Sequence, residues 1–165
     1  MPLGNGNDGE EIAYNPDSGP ILHLSGIGGN RILENIDSVT LAISPLTITG
    51  SYQFEVAGLT HAGGGDFFAT SIFPSEGLFL VSSSGASTRI GKMDHAATGL
   101  AIHEGVLYTT SRDRVLRSIN PATGAALSGI RITIDGVSIR RATALATNPD
   151  TGQLFAVTSI PHGSR

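Results

Sequence analysis

The stretch Asn148-Pro149-Asp150-Thr151-Gly152-Gln153-Leu154-Phe155-Ala156-Val157 decides the fold of this chain. Its first half is a tight turn: proline presets φ at the first corner, glycine supplies the positive φ that ends it, and asparagine bonds the backbone ahead. Its second half is a short run of apolar, aromatic and β-branched residues with no helical period. The stretch therefore predicts a β-strand that starts directly after a turn.

The same unit recurs along the chain. The Asn-Pro-x-[Ser/Thr]-Gly turn is repeated at residues 15–19 and 120–124, and the glycines that precede a strand (19, 65, 105 and 152) are 46, 40 and 47 residues apart. A further short apolar strand lies before each turn, at residues 11–14, 57–60, 98–102 and 143–147. A period of 40 to 50 residues that holds four strands is typical of a β-propeller.

The repeat divides the chain into an incomplete array. We expect a flexible leader at residues 1–9, one propeller-like domain at 10–160 and a tail at 161–165. The blades are expected at about 10–54, 55–95 and 96–140, with a partial blade at 141–160 that holds only two strands. Three and a half blades leave a sheet edge open, and open edges pair with other chains. The chain is therefore expected to be a homo-oligomer or a fragment of a longer propeller.

Two stretches resemble the blades of bacterial propellers of the quinoprotein-like, YVTN and NHL-like groups. They are Leu107-Tyr108-Thr109-Thr110-Ser111 with the following residues 114–124, and residues 144–157 with the sequence Ala-Leu-Ala-Thr-Asn-Pro-Asp-Thr-Gly-Gln-Leu-Phe-Ala-Val. The resemblance covers about residues 10–160 and implies an all-β propeller fold, with a leaning towards extracytoplasmic bacterial proteins. It implies little about function, because the shared residues form turns and packing contacts.

Composition excludes several classes of protein. The 165 residues include 10 Lys plus Arg, 14 Asp plus Glu and no cysteine, for a net charge of −4. Without cysteine there is no disulfide scaffold or thiolate metal site, and without a basic surface we expect no nucleic-acid partner. The apolar runs are too short for a membrane-spanning helix, and the first nine residues lack the pattern of a signal peptide. We therefore expect a soluble chain without membrane insertion.

Two histidines are candidate ligand-binding residues. His61 and His103 are predicted to follow the first strands of the second and third units, at the end that opens to the central channel. There they could share a metal or polarise a substrate. Rim or turn residues are the commoner explanation of such histidines, and no metal-ligand spacing is present, so no metal site is predicted.

Charged turns supply the other candidates. Asp66 follows a glycine-rich run at residues 63–65. Predicted strands lie on both sides of this run, which favours a turn between strands over a phosphate-binding loop, because such a loop precedes a helix. Arg112, Asp113 and Arg114 form one charge cluster, and residues 140–141 add two arginines. Solvated turns are the ordinary explanation, but arginines from different loops on one propeller face would suit a carboxylate or a sugar acid.

No cofactor is predicted. Residues 5–11, Asn-Gly-Asn-Asp-Gly-Glu-Glu, offer oxygen ligands for Ca²⁺ but lack the spacing of an EF-hand loop; a solvated leader is the more common form of such a run.

The sequence favours a non-catalytic propeller module that binds a protein, a carbohydrate or a small ligand through its loops. An alternative is an enzyme at the channel mouth, a lyase, hydrolase or quinone-dependent dehydrogenase, with His61, His103, Asp66 and Asp113 as its candidate residues. A structural fragment without its own activity is a third alternative.

Overall fold

A computed structural model describes residues 11–25, 32–51, 55–73 and 76–159, and every regular element in those ranges is a β-strand. The first antiparallel sheet has the order β1 (Glu11–Tyr14), β2 (Ile21–Ser25), β3 (Ile32–Ile36), β4 (Ile43–Leu46). The second contains β6 (Glu55–Gly63), β7 (Asp66–Phe73), β8 (Gly77–Ser82) and β9 (Ala86–Lys92), with the short β5 (Thr49–Gly50) parallel to β9 at its edge.

The second half of the chain repeats this plan. A third antiparallel sheet has the order β10 (Ala97–His103), β11 (Val106–Ser111), β12 (Val115–Ile119), β13 (Ala126–Arg131). Two hairpins follow: β14 (Thr133–Ile134) with β15 (Val137–Ser138), and β16 (Arg141–Asn148) with β17 (Gln153–Ser159). We call β1–β4, β6–β9 and β10–β13 the first, second and third blades, and β16–β17 the half-blade.

The repeated turns form as their composition predicts. In each of them the asparagine side-chain Oδ1 accepts a hydrogen bond from the backbone N–H two residues ahead, at 2.9–3.0 Å. The closing glycine, with φ between 62° and 89°, donates its N–H to the asparagine carbonyl at 2.8–2.9 Å. The turns are those that begin at Asn15, Asn120 and Asn148. Each connects an antiparallel pair of strands, so turn chemistry sets the strand boundaries.

The first strand of every unit lies innermost. Strand β6 packs against β1 and β10, and β10 packs against β16. The contact is close: a Cβ atom on Gly99 would lie 2.8 Å from the Ala144 backbone. Hydroxyl groups also bridge the strands, since Thr98 Oγ1 donates to Ala142 O at 2.7 Å and Thr147 Oγ1 donates to Ile102 O at 2.7 Å. The four inner strands therefore share one central groove.

The core lies between blades. One cluster joins the first blade to the second through buried side chains such as Leu22, Leu24 and Phe67. Another joins the second blade to the third through Leu78 and Leu100, among others. Burial of each large apolar side chain contributes roughly 1.5–3 kcal/mol, so face-to-face packing of the sheets provides the main stabilisation.

The expected fold class, all-β with antiparallel four-stranded blades, is confirmed. The described chain also has three short strands that the sequence analysis did not predict, β5, β14 and β15. Strands β14 and β15 are joined by Asp135 and Gly136, which both have positive φ, 51° and 77°. That is the geometry of a two-residue hairpin turn, for which an Asp-Gly pair between β-branched residues is a strong signal.

Candidate ligand-binding site

Arginine side chains gather where the inner strands begin. A cavity of about 190 Å³ at that end of the groove is lined by Arg112, Arg141 and residues from all four inner strands: Glu11, Ala57, Thr98, Ala142 and Thr143. A cavity of about 480 Å³ is lined by Arg112, Arg140, Arg141 and Ser159. The two cavities share Arg112 and Arg141. We call the group Arg112, Arg140 and Arg141 the arginine mouth.

Backbone pairing holds the arginine mouth in place. Arg112 lies in the turn that follows β11, while Arg141 begins β16 opposite Ser159 of β17. The Arg140 N–H donates to the Ser159 carbonyl at 2.6 Å. The Ser159 Oγ atom is buried and has no hydrogen-bond partner within the described ranges. Fixed backbones thus carry exposed guanidinium groups beside an unsatisfied hydroxyl.

The guanidinium groups of the arginine mouth are available to a ligand. Among the described residues, none of the three makes an ion pair or a side-chain hydrogen bond. Guanidinium groups present planar arrays of donors that match carboxylates in a bidentate geometry. The arrangement can therefore bind an anion.

Asp113, a predicted site residue beside the arginine mouth, is already paired. Its Oδ1 accepts from Arg117 Nη1 at 3.0 Å, and its Oδ2 pairs with Arg117 Nη2 at 2.5 Å. The hydrogen bonds from Arg117 are the main cause that holds the pKa of Asp113 far below its ordinary value, and the Ser111 hydroxyl adds to the effect. Asp113 therefore stays ionised and engaged with Arg117, which leaves Arg112 without that counter-charge.

Arg114 and Asp66, two further candidate residues from the sequence, do not line the arginine mouth. Arg114 has a positive φ of 68°, and its backbone donates to Ser111 O at 3.0 Å and accepts from Ile132 N at 2.8 Å. Its side chain is not part of the lining of the arginine mouth. Asp66 begins β7 and pairs with Gly63 across the β6–β7 turn. The structure thus brings Arg112 together with residues 140–141, a grouping that the sequence analysis leaves open, and separates it from Arg114.

The other end of the groove, where the inner strands end, is more apolar. Each inner strand contains a triplet made of an aliphatic residue, a small residue and a third residue of any kind, which we call the aliphatic-small-x triplet. The third residues line a cavity of about 460 Å³ at this end: Tyr14, His61, Ile102 and Thr147. We call this group the apolar mouth. His61 contacts Phe67 edge-on, with ring centroids 5.5 Å apart. Its Nε2 atom lies 3.3 Å from Asp17 Oδ2, which also accepts the Gly64 N–H at 3.0 Å.

The expectation that His61 and His103 occupy equivalent places after their strands is wrong. Both lie within strands, and the counterpart of His61 is Ile102, one residue before His103. One residue along a strand reverses the face to which the side chain points. His103 instead lies near Tyr108, with ring centroids 6.3 Å apart, and it is not in the lining of the apolar mouth.

The described residues contain neither a metal-ligand cluster nor a membrane-spanning helix. Within residues 11–25, 32–51, 55–73 and 76–159, no three His, Asp or Glu side chains come together in a way that could hold a metal ion. In the same ranges no helix is long and apolar enough to cross a bilayer. The run at residues 5–11, whose oxygen ligands were weighed for Ca²⁺, falls, except for Glu11, outside the described residues, as does the tail at 161–165.

Sequence analysis missed a row of hydrogen-bonded side chains formed by the exposed Asp94 and the buried His95 and Thr109. His95 Nδ1 lies 2.7 Å from Asp94 Oδ1, and His95 Nε2 lies 2.8 Å from Thr109 Oγ1. His95 and Thr109 are buried. Asp94 and His95 are neighbours in the sequence. Their hydroxyl partner, Thr109, lies on β11, and only the tertiary structure identifies it.

Several solved structures resemble this fold. The glutaminyl cyclase of Myxococcus xanthus superposes with a TM-score of 0.61 at 18% identity, over 91% of this chain and 67% of that one. YCF48 bound to D1 peptide gives a TM-score of 0.55 at 13% identity, over 96% of this chain and 48% of that one. The computationally designed Ika8 protein gives 0.52 at 15% identity, over 89% and 42%.

The sequence matches no protein-family model and no curated protein. This chain spans about two thirds of the cyclase and less than half of the other two structures. At such low identities the likeness shows the fold alone, and that fold is propeller-like.

Proposed function

We propose that this protein is a non-catalytic propeller module that binds a carboxylate-bearing ligand, a protein segment or a glycan, at the arginine mouth. The observation that carries the proposal is the convergence of Arg112, Arg140 and Arg141 on adjoining cavities with no ion pair to a described acid. The resemblance of the blades to bacterial propeller repeats agrees with a scaffold whose loops do the binding.

Electrostatics support an anionic ligand. The whole chain carries a net charge of −4, so the three arginines form a local positive group on a protein whose net charge is negative. Charge-assisted bonds from guanidinium to carboxylate are about twice as strong as neutral hydrogen bonds. The Ser159 hydroxyl, which has no hydrogen-bond partner among the described residues, lies in the same wall and offers a polar contact.

The lining favours binding over chemistry. The described side chains around the arginine mouth supply cations, hydroxyls and Glu11, and no histidine lies among them. Such a set orients and neutralises an anion. Two inner-strand residues, Thr98 and Thr143, complete the floor with neutral groups.

Calorimetric titration tests the proposal. A short oligoglutamate peptide and oligogalacturonate would be titrated against the chain, with oligoglutamine and a neutral glycan as uncharged counterparts. We expect binding of a carboxylate probe that weakens with salt, because exposed charges are screened. Arg112→Gln with Arg141→Gln should weaken it by about tenfold or more, whereas the exposed Arg131→Gln on β13 serves as the matched control. Equal affinity in both variants, or no affinity for either probe, would contradict the proposal.

A second candidate is catalysis at the apolar mouth. His61 lines the 460 Å³ cavity, and its buried Nε2 atom lies 3.3 Å from Asp17 Oδ2 without a hydrogen-bond partner among the described residues. An imidazole beside a carboxylate is a common general base. The similar fold of a glutaminyl cyclase makes glutaminyl cyclase activity the first to assay. Turnover that disappears in His61→Gln and survives in His103→Gln would favour this candidate over a binding module.

A further inference from the structure

Each joint between successive units is built in the same way. An inner-strand leucine of the following unit is nearly fully buried at every joint: Leu59, Leu100 and Leu145 have at most 9% of their surface exposed. Across the first joint, Leu22 and Leu24 of β2 pack against Leu59, and both are fully buried. The second strand of one unit thus covers the inner strand of the next.

In the half-blade, the second-strand side chains that would cover a following inner strand are exposed. Phe155 pairs with Ala146 as Leu22 pairs with Ala13, and Val157 pairs with Ala144 as Leu24 pairs with Glu11. The two leucines are fully buried, whereas Phe155 is 52% and Val157 is 61% exposed. Large apolar side chains thus stand exposed at positions that are buried in the first blade.

In the first blade, the part of this joint that a preceding unit would cover is exposed on β1 only, because His23, which pairs with Ile12 and shares its face, is fully buried. Ile12 is the counterpart of Leu59 in the aliphatic-small-x triplets, and Tyr14 is the counterpart of His61. Ile12 is 60% exposed and Tyr14 is 55% exposed, whereas Leu59 is only 5% exposed. The two open faces of the chain are therefore the two different halves of one type of joint.

We propose that these faces pair between two copies of the chain, head to tail. The Phe155 and Val157 face of one copy covers the Ile12 and Tyr14 face of the next. A second copy is the occupant because it carries the complementary half of a joint that this sequence already builds between its own units. The contact is heterologous, so it produces either a closed ring of copies or an open filament.

Directed disulfide formation tests this pairing, because the chain contains no cysteine. Ile12→Cys and Phe155→Cys would be prepared separately, mixed and oxidised, and a disulfide requires Cα atoms within about 7 Å. We expect a disulfide-linked dimer that contains one copy of each variant. Leu127→Cys, at an exposed apolar position on β13, replaces Phe155→Cys as the matched control and should give little cross-linking.

Two further results decide the outcome. Phe155→Asp with Val157→Asp should shift sedimentation towards the monomer, while Leu127→Asp should not, and circular dichroism would check that all variants remain folded. The doubly substituted Ile12→Cys/Phe155→Cys chain should form linked multimers. A monomer with an internal disulfide would overturn the proposal, since the two faces would then meet within one chain. A wild-type chain that stays monomeric at high concentration and gives no mixed disulfide would overturn it as well.

Discussion

The Nε2 atom of His95 lies 2.8 Å from the Oγ1 atom of Thr109, and both side chains are buried. His95 precedes β10, and Thr109 belongs to the neighbouring strand β11. Asp94 accepts at the other ring nitrogen, at 2.7 Å, and this hydrogen bond is the main cause that lowers the pKa of Asp94. An acid, an imidazole and a hydroxyl in line resemble a catalytic triad, but a buried hydroxyl cannot reach a substrate. The hydrogen bonds of Asp94, His95 and Thr109 therefore anchor the connection between the second and third blades.

Thr109→Val should destabilise the protein, because it leaves a buried nitrogen of His95 without a partner. We expect a loss of about 1–3 kcal/mol in the free energy of unfolding, measured by urea denaturation. Thr109→Ser keeps the hydroxyl and should recover most of the loss. Thr88→Val, at an exposed position on β9, is the control. If the valine variants at 88 and 109 unfold alike, the anchor role is wrong.

Stability should fall in acid through Asp113. Its folded-state pKa is lowered, mainly by the hydrogen bonds from Arg117, so between the folded and unfolded pKa values the unfolded chain binds more protons. The stabilisation is then complete above the ordinary Asp value of about 3.9 and is lost as pH falls below it. Asp113→Asn should lower the free energy of unfolding at neutral pH, with a difference from wild type that shrinks below about pH 4. Urea denaturation across that range measures it; a difference that does not depend on pH would show that the ion pair adds nothing.

Gly99→Ala should weaken the joint between the third blade and the half-blade. The added Cβ would lie 2.8 Å from the backbone of Ala144, which cannot rotate away as a side chain can. Overpacking of this kind costs typically about 1–3 kcal/mol. Gly105→Ala separates clash from backbone strain, because Gly105 has φ +76° and no atom within 4 Å of the new Cβ. Equal effects on thermal unfolding at both positions would argue against a clash.

Phe67→Ala should be among the most damaging single substitutions. Phe67 is fully buried in the cluster between the first and second blades, and truncation of such a ring costs about 3–5 kcal/mol. Leu127→Ala, at a position that is 65% exposed, should change stability by less than about 0.5 kcal/mol. Denaturant midpoints of the two variants provide the comparison.

The candidate site shows where inference from the sequence stopped. The sequence groups Arg112, Asp113 and Arg114 as chain neighbours and offers arginines from different loops on one propeller face as an alternative, and the structure directs the three residues to different environments. Asp113 pairs with Arg117, which is i+4 along the chain but on the next strand. Arg112 joins Arg141, whose strand belongs to another unit. No local pattern encodes such a meeting, because it depends on how units pack.

The histidines show a difference at the scale of one residue. The β6–β7 pair contains a register shift between His61 and Gly63, whereas β10–β11 runs regularly to His103. A shift of one residue sends a side chain to the other face of a sheet. His61 lies two residues after Leu59 and His103 lies three after Leu100, so the two histidines point to opposite faces and only His61 lines the apolar mouth.

The sequence by itself determined most of the strands and the Asn-Pro turns, because the contacts that make a turn at Asn15 or Asn148 lie within five residues of chain. Tertiary structure alone decided which arginines share a cavity, which hydroxyl anchors His95, and which apolar faces stay open at Ile12 and Phe155. Those outcomes depend on the packing of one sheet against another, which brings together residues that are far apart along the chain.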